Sequence, residues 1–414
     1  MTSDRVLGTD DLATNWIDDS QHRAFLARDA AAQFRFFLAS LRDGPGFHTL
    51  DFAGQPLPSE VQELHTTTRL VHSYALGMLA GVDGAERMVD HGMAYLWSHH
   101  RDTEHGGYVW ALDNDGVQDG RKLAYGHVFV LLAGASAKMA GHPDADRLID
   151  DVFQVLDSRY WEAERGLFQD EMDRDWTPFS DYRGMNANMH AVEALLTAYE
   201  ATGAADFLDR AGRILDFFTA RMAPEYNWRL PEHYTREWQV DPDYAGNPMF
   251  RPAGTTPGHS FELARLLLQY WDLRGRPDDG APDRARKLFD RAVTDSCDSD
   301  RGGFVYTLKF DGAWDNTNRY WWPVTEAIGT AAAFIKLAPN PQDEALYRRL
   351  WRFSADHLID HQAGGWFPEL AGDNSKAATQ FAGKPDIYHS IQAALFPAVP
   401  RLSRIAAGLS EGHA

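Results

Sequence analysis

Five of six positions, recurring at an interval of about sixty residues, carry histidine or arginine where an apolar helical run begins. They are Arg69, His127, His190, His259, Pro323 and His389, spaced 58, 63, 69, 64 and 66 residues apart. Three residues further on stand His72, Val130, Glu193, Glu262, Glu326 and Gln392. Residues at i and i+3 share a helix face, which predicts Glu193 beside His190, Glu262 beside His259 and Gln392 beside His389. A carboxylate next to an imidazole fixes its tautomer and favours its cation, whereas a helix N-terminus disfavours the cation. A histidine held between these effects can take or give a proton near neutral pH, as general acid–base chemistry requires. His127, followed by Val130, reads as packing. His65 and His72 read as structural, and His233 as a surface or lid group. Arg69 needs an acceptor, either substrate oxygens or Glu262 or Glu326.

Other chemistries fit parts of this set. Glu262 and Glu326, on neighbouring buried helices, could serve as the two carboxylates of an inverting glycoside hydrolase, which stand ~6.5–9.5 Å apart. Histidine and glutamate in one mouth could hold a metal, although no HExxH motif is present. A non-catalytic sugar-binding barrel is the weakest reading, because it leaves the titratable cluster without a task. There is no phosphate loop, dinucleotide fingerprint or GxSxG elbow.

The elements that must position these residues follow from the repeat. Short Gly-aromatic segments lie between the helical runs, with aromatics at Phe47, Tyr108, Phe168, Trp228, Phe304 and Trp366. They read as strands or hairpin arms. Each repeat pairs a helix apolar all round (GHVFVLLAGASAKMA) with an amphipathic one (ADRLIDDVFQVLDSRYW). The first kind is buried and the second lies outside it. A repeat of this length is one supersecondary unit stacked on itself. Six pairs predict an all-α, six-hairpin toroid, an (α/α)6 barrel, as a single catalytic domain over residues 1–414. Residues 12–42 supply the first outer helix, and the last inner helix, from about Tyr388, closes against it. Residues 223–257, rich in Pro, Gly and aromatics, break the period. An insertion of this kind in a compact fold is usually functional, so it is expected to cover the open end.

A net charge of −20 disfavours nucleic acid as a partner. One cysteine, Cys297, excludes an internal disulfide and a cysteine metal site. The N-terminal MTSDRVLGTDD has no signal-like pattern, and no apolar run is long enough to span a membrane. These features predict a soluble cytoplasmic protein.

Five motifs carry a family resemblance: HTTTRLVHSYA around Arg69, MNANMHAVEALL around His190, FRPAGTTPGHSFELARLL around His259, WWPVTEAI around Glu326 and GKPDIYHSIQAALFP around His389. Over essentially its whole length the chain resembles the N-acylglucosamine 2-epimerase superfamily, (α/α)6-barrel sugar isomerases and epimerases. The last two motifs are closer to its aldose–ketose isomerase branch, the mannose and sulfoquinovose isomerases. The resemblance implies proton transfer without metal or cofactor between two histidines, here His259 and His389, through a cis-enediol of the open-chain sugar. His389 would shuttle the carbon-bound proton. His259, held by Glu262, would assist ring opening and move the oxygen-bound one, and the roles are interchangeable. Arg69, Asn186 and His190 match positions that hold sugar oxygens, with Tyr125, Arg251, Trp322 and Glu326 as further pocket residues. The expected activity is the interconversion of D-mannose and D-fructose. Sulfoquinovose isomerisation and sugar 2-epimerisation are the alternatives. The expected partner is a monosaccharide, with the protein a monomer or homo-oligomer.

Overall fold

The computed structural model describes residues 7–11, 13–59, 61–247 and 249–412. The MTSDRV segment inspected for a signal, and Leu12 in the predicted first outer helix, lie outside them. In chain order the helices are α1 (Ser20–Phe37), α2 (Leu64–Leu79), α3 (Ala85–Tyr95), α4 (Ala124–Met139), α5 (Ala145–Val155), α6 (Met185–Thr202), α7 (Ala205–Leu215) and the single turn α8 (Ala223–Glu225). They continue as α9 (Pro257–Leu273), α10 (Ala281–Ser296), α11 (Trp321–Leu337), α12 (Pro341–Phe353), α13 (Tyr388–Ala398) and α14 (Ile405–Glu411).

The two expected kinds of helix are present. In α4 every residue from Gly126 to Ala137 is buried. Its partner α5 buries only Ala145, Leu148, Ile149 and Val152, the i, i+3, i+4, i+7 stripe of an amphipathic helix. The chain falls into two compact units. In the unit formed by Leu38–Thr49 and Pro56–Thr255, the buried helices α2, α4 and α6 pack in a row, each backed by its amphipathic partner α3, α5 or α7. In the other unit α9, α11 and α13 pack in a row, backed by α10, α12 and α1. The predicted closure of the last buried helix on the first amphipathic one is the α13–α1 pair.

Three repeats share a device that positions the buried helices. Asp102, Asp298 and Asp360 each begin an Asp-x3-Gly-Gly-aromatic turn. Each carboxylate accepts the N–H two residues on, from Glu104, Asp300 and Gln362, all at 3.0 Å. The paired glycines have positive φ, for example 76° and 68° at Gly106 and Gly107, a region costly for residues with a Cβ. The aromatic that follows, Tyr108, Phe304 or Trp366, is buried and bridges back antiparallel. A buried cation just ahead of the next buried helix clamps each Asp: Lys122 at 3.1 Å from Asp102, Arg319 on Asp298, and Lys384 at 2.8 Å from Asp360.

The fourth Gly-aromatic segment is not formed as predicted. The helix after α7 runs on through a π turn (Asp216–Met222) into α8. Asn227 and Trp228 then take φ of 54° and 65°, and Trp228 is only half-buried. No glycine precedes this aromatic, so the tight turn of the other repeats is not available.

Residues 223–247 and 249–255 are tied down within their unit. His233–Tyr234 pairs antiparallel with Arg183–Gly184, and Trp238 donates to Glu162 Oε2 at 2.6 Å. His233 corrects the surface reading, being only 4% exposed. Its Nε2 lies 2.7 Å from the Pro252 carbonyl, which can only accept, so Nδ1 is left to accept from the Tyr182 hydroxyl at 2.8 Å.

Candidate active site

The unit built on α9, α11 and α13 gathers His259, Glu262, Trp322, Glu326 and His389. Pro257 opens α9 at a position where its missing N–H costs nothing. Gly258 follows because a Cβ there would lie 2.4 Å from the Trp322 ring. The indole therefore packs directly against the start of α9, with its ring centre 5.0 Å from that of His259 and 5.8 Å from that of His389. Both imidazoles stand on one indole, their centres separated by no more than those two distances together. They are 7% and 4% exposed, so neither is sealed from solvent.

His389 Nδ1 lies 2.8 Å from Glu326 Oε1. Glu326 Oε2 accepts from Arg265 Nη2 at 2.7 Å and Nε at 3.3 Å. Burial pushes the Glu326 carboxyl up, but Arg265 and His389 outweigh it and hold the group below the ordinary glutamate range. An ionised carboxylate only accepts hydrogen bonds. Neutral His389 thus carries its proton on Nδ1 and presents the lone pair of Nε2, the form a general base requires. This carboxylate comes from the neighbouring helix α11, a partner that the i+3 spacing along α13 does not supply.

One oxygen each of Glu262 and Glu326 and one His389 ring nitrogen lie within 4.8 Å of one another. The trio could hold a cation, but Glu326 already spends both oxygens on His389 and Arg265. With both oxygens so engaged, Glu326 is a poor second carboxylate for an inverting hydrolase.

The other unit brings together Arg69, Tyr125, His190 and Asn186. Arg69 Nη2 donates to the Tyr125 hydroxyl at 2.8 Å and lies over the Phe129 ring at 4.7 Å. His190 sits edge-on to Tyr125, ring centres 5.3 Å apart, and its Nδ1 is 4.0 Å from Glu193. Tyr125 and Asn186 line a cavity of about 360 Å³ together with Trp110, Tyr182 and Arg251. Arg251 grips Glu171 through two 3.1 Å bonds and stacks on Tyr182. Asp170, in the same wall, is pushed up to about 7 by burial, against the pull of Arg251.

The histidine column of the sequence is not one structural register. Counted from the first residue of each buried helix, Arg69, His190, Glu262 and Glu326 are all sixth, while Tyr125, Asn186, Trp322 and His389 are all second. His259 is third and His127 fourth. His127 has both ring nitrogens on backbone, Nδ1 at 2.8 Å from the Leu123 carbonyl and Nε2 accepting from Tyr108 N–H at 3.0 Å. Burial lowers its pKa to about 4, so it is a neutral structural group. His72 is likewise buried, 2.7 Å from the Ser136 hydroxyl. Sequence reasoning missed Arg265, whose signal was an arginine within the continuously buried stretch Pro257–Leu268 of α9.

The family model N-acylglucosamine 2-epimerase (GlcNAc 2-epimerase) matches residues 46–393. The chain is 39% identical to a D-mannose isomerase of Thermobifida fusca over 96% of this chain and 99% of that one. It is 37% identical to a D-mannose isomerase of Pseudomonas cannabina pv. alisalensis over 96% and 97%. A crystal structure of D-mannose isomerase superposes with TM-score 0.86 at 32% identity, covering 90% of this chain and 97% of that chain. The chain is therefore an enzyme, a sugar isomerase that belongs to the N-acylglucosamine 2-epimerase family and has its (α/α)6-barrel fold.

Proposed function

We propose that the protein interconverts D-mannose and D-fructose by proton transfer between histidines, without a metal. The observation that carries this reading is the Arg265–Glu326–His389 chain sharing an indole with His259. In the open-chain aldose, His389 Nε2 takes the C2 proton. His259 protonates the carbonyl oxygen at C1, giving the cis-enediol. His259 then removes the proton of the C2 hydroxyl as His389 returns its proton to C1, and the product is the ketose. The Glu326 carboxylate stabilises the imidazolium formed in between, and Arg265 keeps that carboxylate ionised. In the other unit we assign the holding of sugar oxygens to Arg69, Tyr125, Asn186 and His190, from the donors and acceptors that cluster offers. Mannose is favoured by the relatives named D-mannose isomerase. A sulfonated sugar would call for an available cation, whereas Arg251 already spends its guanidinium on Glu171.

The test is incubation of the protein with mannose, glucose, cellobiose and sulfoquinovose, with and without EDTA, followed by ketose analysis. Fructose from mannose at equal rates in both is the expected result. Turnover of sulfoquinovose alone, or loss of activity with EDTA, would refute the proposal.

A further inference from the structure

Between α1 and the turn at residues 359–364, within one unit, lies a second cavity of about 540 Å³. Phe25 and Phe36 give it apolar walls, and its charged or titratable groups are Arg28, Asp29, Arg35, Asp360 and His361. The chain carries 60 acidic and 40 basic residues, so carboxylates are plentiful. Yet among the described residues neither Arg28 nor Arg35 pairs with one, although both are exposed at this cavity. Asp360 is neutralised by Lys384 at 2.8 Å.

Asp29 is the buried polar group, 6% exposed. Its Oδ2 accepts from Gln33 Nε2 at 2.7 Å and Trp366 Nε1 at 3.2 Å. Among the described residues its Oδ1 takes no hydrogen bond. Burial pushes the carboxyl up to about 6, with the two hydrogen bonds and His361 pulling the other way. The same Gln33 amide donates its second proton to the Ser390 carbonyl at 3.3 Å, so one side chain links Asp29 to the residue after His389.

We infer that this cavity is a binding site for a small hydroxylated anion, a phosphate or carboxylate carried on a polyol. Arg28 and Arg35 take the anion, as guanidinium forks match both groups. Asp29 Oδ1 accepts a ligand hydroxyl, and the phenylalanines cover the carbon chain. A simple cation is disfavoured by the two arginines, and a neutral polyol leaves them unused.

Titration calorimetry on the full chain tests this with fructose 6-phosphate and gluconate as the two anionic probes, and inorganic phosphate and mannitol as controls. Expected is saturable binding of at least one anionic polyol that persists in saturating mannose and weakens at least tenfold in Arg28→Ala/Arg35→Ala. Asp29→Asn, which keeps an oxygen for Gln33 and Trp366, should weaken the polyol but not inorganic phosphate. Which probe binds separates a phosphate from a carboxylate ligand. Absence of saturable binding by both anionic polyols, unchanged affinity in the double arginine variant, or displacement by mannose would overturn the inference. Melting curves confirm that each variant is folded. The readout needs no turnover, so its outcome is independent of the isomerase reading.

Discussion

Replacing Glu326 by Gln keeps the volume of the side chain and removes its charge. Arg265 has only donors and must face the amide oxygen, which turns the amide NH2 toward His389 Nδ1. That nitrogen then has to accept, the ring proton moves to Nε2, and the lone pair that the proposed proton transfer requires is lost. A histidine held in the wrong tautomer costs about 10⁴ in kcat in catalytic triads, so a fall of roughly 10³–10⁴, or ~4–5.5 kcal/mol, is expected for mannose isomerisation. The variant also leaves the Arg265 charge buried against a neutral acceptor, which should lower stability by about 3–5 kcal/mol, as when a buried ion pair loses one partner. The depressed Glu326 carboxyl adds stability above its unfolded pKa of about 4.3. That contribution is lost as pH falls through the folded value, so the stability deficit of the variant should shrink in acid. The assay is fructose formation with urea melts at pH 4 and pH 7, and ¹⁵N NMR of the imidazole to identify the tautomer. A folded variant with kcat within tenfold of the parent would refute the relay.

Three further outcomes follow from the same structure. Asp170, raised by burial to about 7, binds its proton more tightly folded than unfolded. Stability should therefore fall as pH rises from about 4 to about 7, by up to ~4 kcal/mol, and Asp170→Asn, whose oxygen can still accept from Gly184 N–H, should flatten that slope in pH-dependent melts. Lys384→Met strands Asp360 and the Gly364 and Phe52 carbonyls and should cost about 3–5 kcal/mol in urea unfolding; a loss under 1 kcal/mol would deny the clamp. Gly258→Ala places a methyl 2.4 Å from the Trp322 ring; it should shift tryptophan fluorescence and lower kcat at least tenfold, and an unchanged kcat would show that the indole does not position the histidines.

Much of the fold was legible because burial writes a helical period into the sequence, as α4 and α5 show. What failed was register. His127, His190, His259 and His389 look like one column, yet they stand fourth, sixth, third and second in their helices. Glu262 and Glu326 were found as candidates, but the bond from Glu326 to His389 spans two helices 63 residues apart in sequence. Intrahelical spacing reports only partners on the same helix, and so it offered Gln392 instead. Arg265 escaped for the same reason, since its acceptor is on α11. The clamps were written in the sequence as Asp-x3-Gly-Gly-aromatic, but only the glycine and the aromatic were read. The cation that completes each clamp lies 20 to 24 residues beyond its Asp, at Lys122, Arg319 and Lys384.

In the proposed reaction His389 moves the carbon-bound proton with His259 as its partner. Mannose deuterated at C2, incubated with the parent protein and with His389→Gln and His259→Gln and followed by NMR, tests it directly. The parent is expected to make fructose while the label leaves C2 for C1 or solvent, and folded His389→Gln to do neither. Label movement from C2 at the parental rate in His389→Gln would contradict it.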